Sequence, residues 1–506
     1  MPSKRTIPAA AGHHIREGRW FWDAPHFVED YIRYWYLGNP NDNGHAQPHI
    51  ASYTNWIYDA AWQYGLLWNL NESLFRDTFD SAASVFRTVY VEKYLTNSTR
   101  NKDTAWNTTG RVCWMQEDDP DAMEVSVSGG GCRPTIASAM WAEAMALVNV
   151  GRFLGENVEE FERWATFSQE VVAQQHWNPN IQSFAVIPGP VPLPNTNKAQ
   201  EEMHYPSKAG CELGKIRVFN KPVAVRELLA FMPWYFSSLL PASNVTQTAI
   251  WAKQFQYLLQ STGDNGFTAK WGLRTTQRST PCYNYSWEHG DCWNGPSWPY
   301  ETSRVLTGLA NLLVDYPHNV VSAGQMTPQV FQDLLVQYAQ QHTLTRAVND
   351  TAHPLHSGHI FENLHPDLGY WNNREQMYWR GVPYKDIGDD YNHSTFLDLI
   401  LNSWLGIRMP SSAAGKNDDW LTVHPLINAP YFAIDRVPYR GRVMSMVYDP
   451  TGRQYPSVQG RGLRLLVDGI VVAQRPDLGR LVVPVEPPSN SNVFTEENVS
   501  AEAKLQ

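Results

Sequence analysis

Apolar residues recur at helical spacing along the chain as far as about residue 420, and this periodicity is what most constrains the fold. Segments with an apolar residue every three or four positions alternate with loops rich in Pro, Gly, Asn and Asp. They cover 25–37, 54–69, 72–94, 135–154, 159–175, 224–240, 246–261, 296–314, 327–342 and 393–405. Each helix must bury its apolar face, so the set can form a bundle, a superhelix or a closed double ring. Because no fixed-period repeat is visible, the superhelix is disfavoured, and we expect an all-α domain, an (α/α)6 toroid of about six helical hairpins.

The pattern changes to short β-type runs after about residue 420. The runs lie at 431–434, 442–447, 463–467, 470–473 and 481–485, with Asp-Pro-Thr-Gly and Val-Asp-Gly turns among them. A further short strand or hairpin is predicted at 182–187. We therefore expect a helical domain over 1–420, a small β domain over 421–487 and a disordered tail over 488–506.

Charge and aromatic content narrow the class of ligand. The 40 Lys and Arg against 50 Asp and Glu give a formal net charge of −10, which argues against nucleic acid or an anionic membrane as partner. The 21 Trp, 24 Tyr and 19 Phe are typical of clefts for sugars, whose rings have apolar faces and polar edges. A large helical protein also buries many aromatic side chains, so composition leaves both interpretations open.

Signals for membranes and secretion point in different directions. No apolar run reaches the length of about 18 residues that a membrane span needs, and residues 1–20 lack the apolar core of a signal peptide. N-x-S/T sequons nevertheless suggest a secreted ancestor, although an Asn-rich chain produces some by chance. They lie at Asn71, Asn97, Asn107, Asn244, Asn284, Asn349, Asn392 and Asn498.

The five cysteines show no C-x-x-C pair and no Cys/His spacing suited to zinc, so neither a metal site nor a cofactor is predicted. Cys282 and Cys292 flank a short Tyr/Trp/Gly-rich loop and would close it as a disulfide in a secreted protein. The alternative is that these two and Cys113, Cys132 and Cys211 are all small buried side chains.

Glu362 is a candidate general base. It lies in G-H-I-F-E-N-L-H-P-D-L-G-Y-W, just before a Pro/Gly turn that would lift it to a loop beside His and Trp side chains. A base must reach a water molecule in a cleft, and loops place carboxylates there. Breaking an acetal also needs an acid on the other side of the sugar, hence a second carboxyl group.

Glu124 is the candidate for that second group. It follows the acidic cluster Glu117, Asp118, Asp119 and Asp121 and precedes a Gly-rich turn that opens a helix near Pro134. Like charges close by would raise its pKa, which suits an acid that holds its proton near neutral pH. The alternative is a solvated acidic loop.

Two aromatic motifs could line a sugar site. C-W-N-G-P-S-W-P-Y-E-T-S puts Trp293 and Trp298 on a loop that enters a helix, where they would wall a subsite or plug the core. In S-Y-T-N-W-I-Y-D-A-A-W, Trp56 and Asp59 share one helix face, where the carboxylate could hold sugar hydroxyls or cap a neighbouring loop.

Taken in order, these motifs resemble the six-hairpin glycosidases of the mannosylglycerate-hydrolase-like type, related to glycoside hydrolase family 63. The matching pieces are H-H-I-R-E-G-R-W at 13–20, W-x-x-D at 56–59, D-A-M-E-V-S with G-C-R-P-T-I at 121–136, V-R-E-L-x-x-F-M-P-W-Y-F at 225–236, W-N-G-P-S-W-P at 293–299, E-N-L-H-P-D-L-G at 362–369 and Y-N-H-S-T-F at 391–396.

The resemblance implies an (α/α)6 catalytic domain and a carbohydrate substrate, hydrolysed with inversion. It places the acid on Glu124, with Asp121 as the alternative because relatives often have Asp there, and the base on Glu362. It also implies substrate-binding roles for His13, His14, Glu17, Arg19, Trp56, Asp59, Arg226, Glu227, Trp293, Trp298 and His393.

Two other functions stay open. A catalytically inactive carbohydrate-binding toroid would keep the aromatic cleft without turnover. Phosphorolysis would need a basic phosphate subsite, and no basic cluster accompanies Glu362.

Overall fold

The computed structural model describes residues 8–21, 25–38, 46–68, 70–101, 110–189, 213–259, 266–284, 293–324, 326–342, 362–369, 371, 395–408 and 420–484. Its α-helices are α1 Pro8–Gly18, α2 Pro25–Leu37, α3 Ile57–Leu67, α4 Glu72–Val85, α5 Val91–Tyr94, α6 Pro134–Leu154, α7 Glu159–Glu170, α8 Leu213–Ile216, α9 Met232–Tyr235, α10 Val245–Ala252, α11 Gln256–Leu259, α12 Pro299–Asp315, α13 Pro328–Gln341 and α14 Phe396–Asp398. Single π-helical turns, Phe86–Tyr90, Val171–His176 and Leu399–Trp404, extend α4, α7 and α14.

The helix ends follow local sequence signals. Pro134, Pro299 and Pro328 open α6, α12 and α13, at a position where a backbone N–H has no helical partner to lose. Asn71 and Asn244, both in sequons, cap α4 and α10 by accepting a backbone N–H three residues further on. The amphipathic segments predicted at 25–37, 72–94, 159–175 and 327–342 are confirmed as helices within one or two residues.

One helix prediction was wrong, and one helix was missed. The segment 224–240 holds only a 3₁₀ turn, Leu228–Phe231, followed by the short α9, because its start pairs in extended form with Thr276. Conversely, α1 was not predicted. Its side chains are buried nearly all round, so it lacks the polar face that periodicity detects. A Cβ at Gly12 would lie 2.6 Å from the indole nitrogen of Trp56, so the glycine permits close packing of α1 on α3.

The most buried helical segments contact one another in a series. α1 packs against α3, α3 against α6, α6 against α9 and α9 against α12. α12 contacts the turn Leu399–Trp404 that continues α14, and α14 contacts α1, where the series began. α2, α4, α7 and α13 pack against members of this series and leave a face to solvent. No described helix combines the length and the apolar character that crossing a membrane would require.

The described β-strands pair into antiparallel sheets, and the four-stranded sheet lies in the C-terminal part. The strands of the structure are β1 Met115–Gln116, β2 Gly131–Cys132, β3 Trp177–Asn178, β4 Ser183–Phe184, β5 Ile187–Pro188, β6 Ile407–Arg408, β7 Trp420–Val423, β8 Phe432–Tyr439, β9 Arg442–Asp449, β10 Gly462–Val467, β11 Ile470–Arg475 and β12 Leu481–Pro484. A four-stranded sheet has the order β11-β10-β9-β8, and a three-stranded sheet has the order β12-β7-β6. All five C-terminal runs predicted from sequence are confirmed as strands.

A second apolar core lies between these sheets and the helices. Met446 and Leu463 share it with Leu401 and Leu405, which lie at the end of the helical part. The C-terminal sheets therefore rest on the helices through buried side chains. The domain limits at 420 and 487 stay predictions, and the tail 488–506 lies outside the described residues.

Candidate active site

Glu124 lies in a loop that is closed at its base by two strands and a disulfide. β1 pairs with β2 through Met115 with Cys132 and Gln116 with Gly131. Cys113 and Cys132 form a disulfide across the same base. The loop 117–130, called the acid loop below, is therefore anchored at both ends.

The structure thus contains a disulfide that the sequence did not predict. Strand pairing brings Cys113 and Cys132 together although they are 19 residues apart, and spacing alone does not reveal this. Cys282 is disulfide-bonded as well, to a partner outside the described residues. Since Cys292 also lies outside them, the proposed Cys282–Cys292 bridge stays a prediction.

Two residues of the acid loop have a left-handed backbone although neither is glycine. Ala122 has a φ of 57° and Val125 a φ of 62°. This conformation costs about 1–2 kcal/mol for an ordinary residue, and it is a rare outlier for a β-branched one. The two residues lie on either side of Glu124, so backbone strain is stored around the candidate acid.

Arg133, directly before α6, holds the acid loop from inside. Its Nε donates to the Asp121 carboxylate at 2.6 Å, and both side chains are almost fully buried. The guanidinium also donates to the Ser126 hydroxyl at 3.3 Å and to the Gly129 carbonyl. The Asp121 carboxylate is thereby engaged with a guanidinium and shielded from solvent, whereas a proton donor must reach the substrate. The ion pair therefore favours Glu124 over Asp121 as the acid.

Glu124 itself is half-buried, and its backbone carbonyl accepts the N–H of Trp293 at 2.9 Å. Its side chain lies near Tyr53. Burial raises the pKa of the Tyr53 phenol, and the charges of Asp119 and Glu124 raise it further. The carboxylates of Asp119 and Glu124 thus both lie near Tyr53.

The loop 293–298, called the tryptophan loop below, lies next to Glu124. Trp293 and Trp298 stack on each other with ring centroids 4.4 Å apart and planes 17° from parallel, and each is 4% exposed. The Trp293 ring also meets the edge of Tyr300 at 6.0 Å. The two rings fill the space between themselves, so a sugar would meet an outer face or edge of the pair.

The segment 362–369, called the base segment below, pairs with the same tryptophan loop. Leu364 and Ser297 exchange two backbone hydrogen bonds of 2.9 Å. Glu362, two residues before Leu364 in the sequence, is half-buried. The tryptophan loop therefore bonds to the acid loop at one end and to the base segment at the other.

Asp367 and His365 shape the base segment. Asp367 pairs with Arg274 and accepts the Tyr283 hydroxyl at 3.1 Å. Burial tends to raise the pKa of Asp367, but the hydrogen bond and charge of Arg274 outweigh it and hold that pKa below its usual value. The Nδ1 atom of His365 accepts the N–H of Asp367 at 3.2 Å, and burial lowers the pKa of the imidazole.

His13 and Trp56 are brought together in an aromatic cluster next to the tryptophan loop. The His13 ring centroid lies 5.1 Å from that of Trp56 and 4.6 Å from that of Tyr300. The Arg304 guanidinium lies 4.6 Å over Trp56 and 3.9 Å over Tyr300, and it pairs with Glu301 at 3.1 Å. These side chains are at most 2% exposed, so the flat rings and charged groups of this cluster pack against one another inside the helical core.

Buried ion pairs surround that cluster. Asp59 accepts a hydrogen bond from Arg16 at 2.9 Å, and Arg19 pairs with Asp398. The predicted binding residues Asp59 and Arg19 are thus engaged with partners from other helices.

Glu17 and Glu227 each hold two successive backbone N–H groups. The Glu17 carboxylate accepts those of 397–398 at 2.7 and 3.1 Å, and burial raises its pKa to about 7. Glu227 accepts those of 127–128, in the acid loop, at 2.8 and 3.2 Å. Both carboxylates were predicted to bind substrate; the structure places Glu17 on the backbone of α14 and Glu227 on the backbone of the acid loop.

The remaining predicted site residues lie elsewhere. His14 is exposed and lies 3.3 Å from the Tyr31 hydroxyl. Arg226 donates to the Ile181 carbonyl at 2.6 Å, away from the acid loop. His393 lies outside the described residues. Within the described ranges, no group of three or more His, Cys, Asp and Glu side chains is arranged to hold a metal ion.

Comparison with known proteins decides the family. Residues 3–394 match the model of the mannosylglycerate hydrolase MGH1-like glycoside hydrolase domain. The chain belongs to this glycoside hydrolase family. No curated protein sequence matches it.

Solved structures add to the assignment of the fold. A structure described as a sialidase aligns with 97% of this chain at a TM-score of 0.72 and 24% identity, which establishes a shared fold. The alignment spans 37% of that sialidase chain. A GH63 mannosylglycerate hydrolase from Thermus thermophilus in complex with Tris gives a TM-score of 0.42 at 10% identity, over 73% of this chain and 92% of that one. A likeness at that TM-score adds nothing further.

Sequence reasoning missed several residues of the candidate site. Arg133, Arg16 and Arg304 hold the carboxylates around it. Arg133 stands in the G-C-R-P-T-I motif, and Arg304 lies four residues after Tyr300, hence on the same face of α12. A search for buried arginines near the two candidate carboxylates would have found Arg133, whereas long-range pairs such as Arg19 with Asp398 carry no local signal.

Proposed function

We propose that this protein is an inverting glycoside hydrolase in which Glu124 is the general acid and Glu362 the general base. The proposal includes an (α/α)6 toroid as its scaffold. Family membership supports hydrolysis of a glycosidic bond, and the geometry around the tryptophan loop supports the two carboxyl groups.

The cyclic order of helix contacts supports the toroid. α1, α3, α6, α9, α12 and the α14 region contact one another in turn, and the last contacts the first. A closed ring of six buried segments with other helices outside is what a double ring of hairpins requires. Catalytic loops then lie at one rim of the ring.

One observation carries the assignment of the two carboxylates. The N–H of Trp293 binds the carbonyl of Glu124, and Ser297 pairs with Leu364, two residues from Glu362. Segments that are more than two hundred positions apart in sequence therefore border one short loop. We infer that the two carboxyl groups face a common cavity beside the aromatic cluster.

The chemistry follows from that placement. Glu124 donates its proton to the departing glycosidic oxygen while Glu362 removes a proton from a water molecule. The water attacks the anomeric carbon from the face opposite the leaving group, so the configuration inverts. Room for this water requires the carboxyl groups to be about 6.5–9.5 Å apart. Trp293 and Trp298, each 4% exposed, would meet the sugar by a ring edge, whereas the fully buried His13 and Trp56 would support the site from behind.

The experiment compares Glu124→Gln and Glu362→Gln with the surface control Glu162→Gln, which changes an exposed carboxylate on α7. A panel of aryl glycosides, oligosaccharides and mannosylglycerate, the substrate named in the family description, identifies the sugar. Each candidate substitution should lower kcat roughly 10²–10⁴-fold with the fold intact. A fully active Glu362→Gln enzyme would remove the assignment of the base.

The same panel separates the other functions. Calorimetric sugar binding without product release would indicate the inactive carbohydrate-binding toroid. Release of a sugar phosphate in phosphate buffer would indicate phosphorolysis.

A further inference from the structure

The Glu227 carboxylate lies buried beneath the acid loop and uses both of its oxygens there. One oxygen accepts the N–H of Val127 at 2.8 Å and the other accepts the N–H of Ser128 at 3.2 Å. The residue is 4% exposed and stands between extended backbone and the 3₁₀ turn that precedes α9. The acid loop is thereby bonded to a different part of the helical core.

Arg217 donates hydrogen bonds to the carbonyl groups of the same two peptide units. Its Nε donates to the Val127 carbonyl at 2.8 Å and its Nη2 to the Ser126 carbonyl at 2.7 Å. The guanidinium lies directly against Gly129, where a Cβ would be 2.7 Å from Cζ. Together Glu227 and Arg217 bind both the N–H and the carbonyl groups just after Glu124.

The backbone between these anchors and Glu124 needs such support. Val125 has a left-handed φ of 62°, and Ala122 has one of 57° on the other side of Glu124. Strained residues persist only where surrounding contacts over-determine them. Without the anchors at 127–128, the chain after Glu124 could relax, and the carboxyl group would move with it.

We propose that Glu227 is a positioning residue that, with Arg217, holds the strained acid loop so that the Glu124 carboxyl group points at the leaving-group oxygen. The inference rests on the proposed function of Glu124. It assigns Glu227 no contact with substrate, since both of its oxygens are bound to backbone N–H groups. An amide at this position would turn an NH₂ group towards one of those N–H donors.

The test compares Glu227→Gln with Asp449→Asn, a matched control outside the candidate site. Asp449 also accepts backbone N–H groups through both of its oxygens, those of Gly452 and Gln454, in the turn after β9. The probes are the 2,4-dinitrophenyl and methyl glycosides of the sugar that the substrate panel identifies. A dinitrophenolate leaves without protonation, whereas methoxide requires the acid.

Glu227→Gln should lower kcat for the methyl glycoside at least roughly tenfold more than for the dinitrophenyl glycoside, part of the contribution of about 10²–10⁴ that an acid makes. Arg217→Lys should shift the ratio in the same direction by less, and it supplies the test if Glu227→Gln does not fold. Asp449→Asn should leave the ratio at the wild-type value. Equal losses on both probes, or a change in KM alone, would overturn the positioning role.

Glu124→Gln is the reference that separates the two claims. If it does not shift the ratio, the proposed acid is wrong. If it does and neither anchor variant does, the failure belongs to the positioning inference alone. Hydrogen exchange gives a readout without substrate: Glu227→Gln should speed exchange of the amides of 126–129 relative to the control, and unchanged exchange would contradict the proposal.

Discussion

The acid loop and the base segment carry comparable carboxyl groups on very different supports. Beside Glu124, the left-handed positions are occupied by Ala122 and Val125, whereas the left-handed position after Glu362 is occupied by Gly369. The acid loop is tied by a disulfide and by buried charged side chains, while the base segment depends on its neighbours across the tryptophan loop. Strain is thus stored in the acid loop, where the proposed proton donor Glu124 must point in a particular direction.

The ion pairs that anchor the two segments differ in burial, and this gives the largest expected effect. The side chains of Arg133 and Asp121 are 0% and 1% exposed, whereas those of Arg274 and Asp367 are 9% and 22% exposed. Arg133→Met should lower the free energy of unfolding by about 3–5 kcal/mol because it leaves a buried carboxylate uncompensated. Arg274→Met should cost about 1–2 kcal/mol, since water reaches its partner. Urea denaturation measures both, and equal losses would erase the contrast.

Removing the disulfide tests the anchoring of the acid loop at its base. Cys113→Ser together with Cys132→Ser opens a bridge between residues 19 apart in sequence. A loop of this length should cost about 3 kcal/mol of stability. Thermal unfolding measures the loss, and hydrogen exchange should locate it in 117–130 rather than in 362–369. Faster exchange in the base segment alone would contradict the comparison.

Exchanging glycine and alanine at the left-handed positions should change the free energy of unfolding in opposite directions in the two segments. Gly369→Ala should destabilise by about 1–2 kcal/mol from backbone conformation alone, and its Cβ would lie 2.5 Å from the Trp271 indole nitrogen. Ala122→Gly should stabilise by about 0.5–1 kcal/mol, because relief of strain exceeds the added freedom of the unfolded chain. Destabilisation by Ala122→Gly would show that the acid loop is not strained there.

A pH dependence confined to the base segment is the smallest expected effect. Burial lowers the pKa of His365 below its ordinary value of 6.5, so the folded state binds this proton less readily than the unfolded state. Its stability contribution is complete above pH 6.5 and is lost as pH falls through the folded pKa. Protonation of Nδ1 would break its contact with the N–H of Asp367. His365→Gln should reduce the loss of stability below pH 6.5, and an unchanged profile would exclude this residue.

Much of the fold could be predicted because a helix or strand that is buried on one side has apolar residues at a regular spacing in the sequence. The amphipathic helices at 25–37 and 327–342 and the C-terminal strands show it clearly. α1 escaped because a helix buried on every side has no polar stripe. The segment 224–240 escaped because tertiary pairing with Thr276 overrides its helical pattern.

The candidate site was predictable to a lesser degree. Glu124 and Glu362 follow from the carboxylates and turns around them, but the bond from Glu227 to 127–128 spans about a hundred residues and leaves no local trace. The stacking of Trp293 on Trp298 is equally hidden, because a sequence shows which rings are near but not whether they face each other or a ligand.

The configuration of the first sugar released tests the central claim most directly. NMR of the reaction, started at high enzyme concentration so that mutarotation is slow by comparison, identifies the anomer formed first. Glu124 and Glu362 acting as acid and base from opposite sides of the sugar predict the anomer opposite to that of the substrate. Release of the same anomer would contradict the account, since retention requires a nucleophile about 5–5.5 Å from the acid.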